Sequence, residues 1–281
     1  MAHVRLAVTT HDLLRVTADD AELAVDVRGG SGAGSILFIH GFPFDRSLWR
    51  HQLAALSPSP SHWRRIAPDL RGAGASSAPA RGYSMARYAA DVVRVLDVLN
   101  VRQAVMCGLS MGGYIVFELL RRHPERVRAA VLCNTKAEAD TADAKRGRDE
   151  MAALAEREGA AAVADRLLPR LLAPATFAAQ PEVVAQVRAM IMGTPVPGLV
   201  GALLAMRDRP DSTAMLGAIH LPVLVVAGGD DPIAPPEGML AMARAIAGAQ
   251  FVQIPAAAHL TPLEQPLATS RALSDFLADL G

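Results

Sequence analysis

Apolar and polar positions alternate over residues 13–17 and again over 23–28, across Ala18-Asp19-Asp20-Ala21. Period-two alternation around a short polar turn predicts an antiparallel hairpin. A Gly/Ser loop follows at 29–34. The later apolar runs do not alternate. Residues 36–39, 104–107, 127–133, 223–227 and 251–254 are nearly continuous, as expected of strands covered on both faces. Residues 65–67 add a short strand, which runs into a loop at 69–76. Between these runs the spacing changes. Val92, Val95, Leu96 and Leu99 mark one face of a helix over 85–99. Helices are also expected at 48–56, capped by Asp45 or Ser47, and at 114–122, 237–246 and 263–280. Strands alternating with helices predict an α/β fold, with a mostly parallel sheet and helices on both faces.

The alternation stops after Asn134. Residues 137–212 hold no convincing strand. They read as helices at 144–158, 161–172 and 181–192, with Pro181 suited to a first helical turn and Pro195, Pro197 and Gly198 interrupting the pattern. We therefore expect a core domain from residues 1–136 and 213–281, with a helical cap, or lid, inserted at 137–212. No internal repeat is evident.

The chain has 281 residues, 51% of them hydrophobic and 20% charged, and its formal net charge is zero. That suits a folded domain with a sizeable core rather than a disordered chain. The absence of a basic stripe argues against nucleic acid or anionic membranes as partners. The N-terminus lacks the apolar core of a signal peptide, and no apolar run is long enough to cross a bilayer. Cys107 and Cys133 fall at the ends of core strands, which suits buried thiols in a reducing, cytoplasmic setting.

The densest chemical signal is Gly108-Leu109-Ser110-Met111-Gly112-Gly113, between the strand at 104–107 and the helix at 114–122. A Ser on so tight a strand-to-helix turn takes an unfavourable backbone conformation and presents its hydroxyl. The glycines two before and two after allow strand and helix to approach. A Ser hydroxyl needs a base within reach and a group to orient that base. His has a suitable pKa, and a carboxylate on its other ring nitrogen fixes the tautomer. Asp230-Asp231 and His259 follow the strands at 223–227 and 251–254, at the sheet end where ligands bind in such folds. The chain order is Ser, Asp, His.

Four segments together resemble the α/β-hydrolase superfamily over essentially the whole chain. They are His40-Gly41-Phe42-Pro43, the 108–113 segment, Gly228-Gly229-Asp230-Asp231-Pro232-Ile233-Ala234-Pro235, and Ala258-His259-Leu260-Thr261-Pro262-Leu263-Glu264-Gln265-Pro266. Within the superfamily the chain is most similar to small esterases and 3-oxoadipate enol-lactonase-like hydrolases. The resemblance implies Ser110 as nucleophile, His259 as base and Asp231, four residues before Pro235, as orienting acid. It implies backbone N–H groups of Met111 and Phe42 as oxyanion donors, and His40 as a residue that shapes their loop. Ala258 stands where the family has Gly. The Phe42 side chain, with Met190 and Met206 of the cap, is the candidate substrate pocket. His3, His11, His51, His62, His123 and His220 show no metal-ligand spacing with a carboxylate, so neither metal nor other cofactor is expected. Arg71-Gly72-Ala73-Gly74 lacks the frame of a phosphate loop and is taken as structural.

The leading expectation is a serine hydrolase that cleaves a small carboxylic ester or lactone through an acyl-enzyme. A hydrolase of C–C bonds in diketones, or a perhydrolase, would use the same triad. A ligand-binding protein without turnover is the alternative from another class. Haloalkane dehalogenation is disfavoured, because that chemistry wants Asp where Ser110 stands.

Overall fold

The computed structural model describes residues 12–29, 34–56 and 63–281. Most of the Gly/Ser loop expected at 29–34, the N-terminal stretch, His3, His11 and His62 lie outside these residues. Eight strands form one sheet: β1 (Asp12–Ala18), β2 (Ala21–Arg28), β3 (Gly34–Ile39), β4 (Trp63–Pro68), β5 (Ala104–Leu109), β6 (Val127–Cys133), β7 (Val223–Gly228) and β8 (Gln250–Ile254). Their order is β1-β2-β4-β3-β5-β6-β7-β8. The expected hairpin is β1 on β2, paired antiparallel from Asp12↔Val27 to Ala18↔Ala21. β2 also pairs antiparallel with β4, and every pairing from β4 onward is parallel. β5 and β7 are buried along their whole length, as continuous apolar runs require when both faces are covered.

The helices are α1 (Arg50–Ala55), α2 (Met85–Val98), α3 (Met111–Arg122), α4 (Ala142–Leu171), α5 (Pro174–Ala179), α6 (Pro181–Met192), α7 (Val196–Arg207), α8 (Pro236–Arg244), α9 (Thr261–Glu264) and α10 (Pro266–Asp279). Asp45 is the cap near the first of them, accepting the Ser47 N–H at 2.8 Å at the start of a 3-10 turn that leads into α1. α4 to α7 all lie between β6 and β7, so the segment without strands is a helical insertion into the sheet's sequence. α4 is broken at Gly159, where φ is +77°, close to the gap between the two helices expected there. Among the described residues no single helix is long and apolar enough to cross a membrane.

Two expectations change. Pro195 and Pro197 mark the break between α6 and α7, as N-cap and first-turn residue of α7, but Gly198 does not interrupt the pattern, for it lies within α7. The helix expected over 263–280 is two. It is divided at Gln265, because the residue before Pro266 is driven out of the helical region.

Cys107 and Cys133 are free and fully buried. Burial, with Cys133 beside it, pushes the Cys107 thiol well above its usual range. Neither thiol should react with an aromatic disulfide reagent at pH 8 in the folded protein, and both should react in denaturant. Fast labelling of the native chain would show that this part of the core opens.

Candidate active site

Parallel strands end on the same edge of the sheet, so the residues that follow β5, β6, β7 and β8 converge. Ser110 follows β5, Asn134 follows β6, Asp231 comes shortly after β7 and His259 shortly after β8. Those four strands are neighbours in that order.

Ser110 has φ +53° and ψ −112°, a region that L side chains rarely adopt. Its neighbours hold it there. The Ser110 N–H donates to Cys133 O at 2.9 Å. Its carbonyl accepts from Gly113 N–H at 2.9 Å and from the Thr135 hydroxyl at 2.7 Å. The side chain is half-buried and does not cap α3. A Cβ on Gly108 would lie 2.3 Å from Gly112 O, so strand and helix do touch there. On Gly112 it would lie 2.2 Å from Ile39 O, so that glycine admits β3 rather than β5.

His259 is 2% exposed and Asp231 3%. Asp231 Oδ2 lies 2.8 Å from His259 Nδ1 and accepts from Asn134 Nδ2 at 2.9 Å. Its Oδ1 accepts from the N–H groups of Ile233 and Ala234 at 2.8 and 3.1 Å. Burial alone would raise this carboxyl. The hydrogen bond of His259 and the charge of its imidazolium form, with the Asn134 and Ala234 donors, outweigh burial and hold it below the usual carboxylate range. In the neutral ring, a carboxylate surrounded by donors keeps the one imidazole proton on Nδ1, which leaves the Nε2 lone pair to accept a proton. Asp230 is exposed. Ala258 carries no positive φ; the residue in that conformation is Ala256, at +52°.

His40 is buried in another role. Its Nε2 accepts the Leu70 N–H at 3.0 Å and its Nδ1 lies 2.9 Å from Gly41 O. An accepting Nε2 leaves the ring neutral, a brace between two loops, and desolvation lowers its pKa in the same sense. Phe42 and Met111 line one small pocket with Thr194, Gly198 and Ala202 of the insertion. Arg71 also lines it, but its guanidinium is taken by Asp91 at 2.6 and 2.8 Å and by Asp20 at 2.9 Å. That accords with a structural loop at 71–74. Met190 and Met206 lie outside this lining. Both side chains are buried in the same apolar cluster as Phe42 and Met111. A cavity of about 410 Å³ opens beyond Thr135, walled by Ala137, Arg209, Ala234, Met239 and Met242. Neither Ser110 nor His259 lines it, so it offers no room at the hydroxyl.

Three residues here carry no role in the sequence reading. Asn134, at φ +46°, donates to Asp231 and to Ala258 O at 3.1 Å, and accepts the Thr261 hydroxyl at 2.9 Å. Thr135 braces Ser110 through its carbonyl. Glu264 is buried beneath the His259 loop. The available signal for Asn134 and Thr135 was the one that marked Ser110: polar residues directly after an apolar strand.

Residues 34–266 match the family model described as the alpha/beta hydrolase fold. A 3-oxoadipate enol-lactonase from Acinetobacter baylyi is 28% identical, covering 92% of this chain and 94% of its own. The solved structure of a thermophilic esterase from Thermogutta terrifontis is 38% identical, with a TM-score of 0.88, covering 97% of this chain and 99% of its own. An enol-lactonase from Burkholderia xenovorans is 32% identical, with a TM-score of 0.87, covering 94% of this chain and all of its own (100%). With one sheet, one inserted helical segment and a family match over most of its length, this chain belongs to the α/β-hydrolase fold family.

Proposed function

We propose that the protein is a serine hydrolase of small carboxylic esters or lactones. The observation that carries this reading is the buried Asp231–His259 pair, its Nε2 left to accept, on the sheet edge that also holds the strained Ser110. In the reaction His259 Nε2 takes the Ser110 proton as Oγ attacks the carbonyl carbon. The carbonyl oxygen becomes an oxyanion, held by the N–H groups of Met111 and Phe42. Met111 opens α3, where the first N–H groups have no intrahelical acceptor and the helix end adds favourable potential. His259 then returns the proton to the departing alkoxide oxygen, leaving the acyl group on Ser110. Water, deprotonated by His259, attacks the acyl carbon, and Oγ leaves with that proton. In a lactone the departing oxygen stays tethered to the acyl group.

The crevice beside Phe42 and Met111, about 10 Å³, is too small to hold an acyl group, and Arg71 at its wall, already paired with Asp91 and Asp20, offers no free charge to an anionic substrate. The inserted helices act as the lid over it. The esterase and enol-lactonase relatives support the same bond class. A panel of short p-nitrophenyl esters and aliphatic lactones tests the reading, with fluorophosphonate labelling alongside. Turnover of an ester or lactone is expected. Labelling without turnover of any compound would overturn it in favour of a ligand-binding protein, and turnover confined to diketones would favour C–C hydrolysis.

A further inference from the structure

The inserted helices meet the rest of the chain on two sides of the candidate site. On the Phe42 side the Thr194 hydroxyl donates to Pro43 O at 3.1 Å. There α7 comes so near that a Cβ on Gly198 would stand 1.9 Å from Gly72 O. On the His259 side, Leu171 O at the end of α4 accepts the His259 N–H at 3.1 Å. Beneath that contact lies Glu264, 1% exposed.

The Glu264 carboxylate faces two ways. Oε1 accepts the N–H groups of Ala258 and Leu260, at 2.9 and 3.1 Å. Those are the peptide donors immediately before and after His259. Oε2 accepts the Ala173 N–H and the Thr176 hydroxyl, both at 2.7 Å, where α5 begins in the insertion. Every partner is a donor, and among the described residues no cation pairs with the group. Burial raises its pKa, while the four donors oppose that rise. Only a carboxylate offers acceptors at both ends. An amide would turn donors toward donors at one of them. A buried charge is costly to maintain, so a position that requires one points to geometry rather than stability alone.

We propose that Glu264 is a positioning residue: it sets where His259 sits and makes that position depend on the docking of the inserted helices. The proposal rests on reading His259 as the base. Thr176 touches only the insertion side of the carboxylate. Loosening that side therefore shifts the grip on Ala258 and Leu260 and is felt at the imidazole.

The test measures kcat per active site titrated with a fluorophosphonate, on a p-nitrophenyl ester, for Glu264→Gln, Thr176→Val and the double variant. Glu264→Gln is expected to lower kcat about 10- to 100-fold, with KM changed less, as for a catalytic group displaced by up to an ångström. Thr176→Val should lower it about 3-fold in the wild type and have no further effect in the Glu264→Gln background, the signature of a shared network. If Glu264→Gln does not fold, Thr176→Val alone decides by the same readout. Unchanged kcat per titrated site, with loss only in melting temperature or titratable fraction, would overturn the proposal. So would single effects that multiply in the double variant. His259→Ala is the control. Full activity there would instead remove the base assignment on which the proposal rests.

Discussion

Ser110→Ala is expected to lower kcat on a short p-nitrophenyl ester by about 10⁴-fold or more, with the fold intact. The oxygen removed is the one that attacks, and no neighbouring side chain can replace it. The backbone consequences separate this loss from a general disturbance. Ser110 sits at φ +53°, a conformation that costs about 1–3 kcal/mol for a residue with a Cβ. Ala keeps that Cβ and so keeps the cost. Gly removes it, offset by the greater backbone entropy that Gly loses on folding, about 0.5–1 kcal/mol. Ser110→Gly should therefore be as inactive as Ser110→Ala yet unfold at a higher urea concentration, by about 1 kcal/mol in stability. Activity retained in either variant would remove Ser110 from the chemistry. Equal midpoints would show that the turn holds no strain.

Asp231→Asn is expected to lower kcat by about 10⁴-fold, for a reason of tautomer as well as charge. All four groups around the carboxylate are donors: Ile233 and Ala234 on Oδ1, and Asn134 and His259 on Oδ2. An amide must turn its NH₂ toward one of these pairs. Turned toward His259, it makes Nδ1 the acceptor and places the imidazole proton on Nε2, where no proton can be taken from Ser110. Turned the other way, it faces two backbone N–H groups in a buried site. Each buried donor left without an acceptor costs about 1–3 kcal/mol, so the variant should also be less stable. Circular dichroism and urea unfolding give the stability, and the ester assay gives the rate. A variant with near-normal kcat would show that His259 is oriented by something else. Asp230 could not serve, because it is exposed.

The sheet is legible in the chain because β5, β6 and β7 are continuous apolar runs that end abruptly at polar residues. A strand buried on both faces leaves that trace, and the residue just past its end is where a parallel sheet collects its chemistry. The candidates Ser110, Asp231 and His259 stand out by the same reasoning, helped by their order along the chain. What is not legible depends on contacts distant in sequence. Asn134 draws meaning from Asp231 and Thr261, and Glu264 from Ala173 and Thr176. No local periodicity announces either. The inserted helices are legible as helices but not in their packing. Met190 and Met206 are legible as apolar residues of the insertion, but that they share one buried cluster with Phe42 and Met111 is not. One proline is overlooked. Pro266 starts α10, at the first turn where proline belongs.

One hydroxyl, on Ser110, is expected to form a covalent acyl intermediate with help from His259. Brief exposure to a fluorophosphonate, followed by digestion and mass mapping, tests it most directly. A single adduct is expected, on the peptide that carries Ser110, with greatly slowed labelling in His259→Ala. An adduct on any other residue, or full ester turnover by protein whose Ser110 has been blocked, would contradict it.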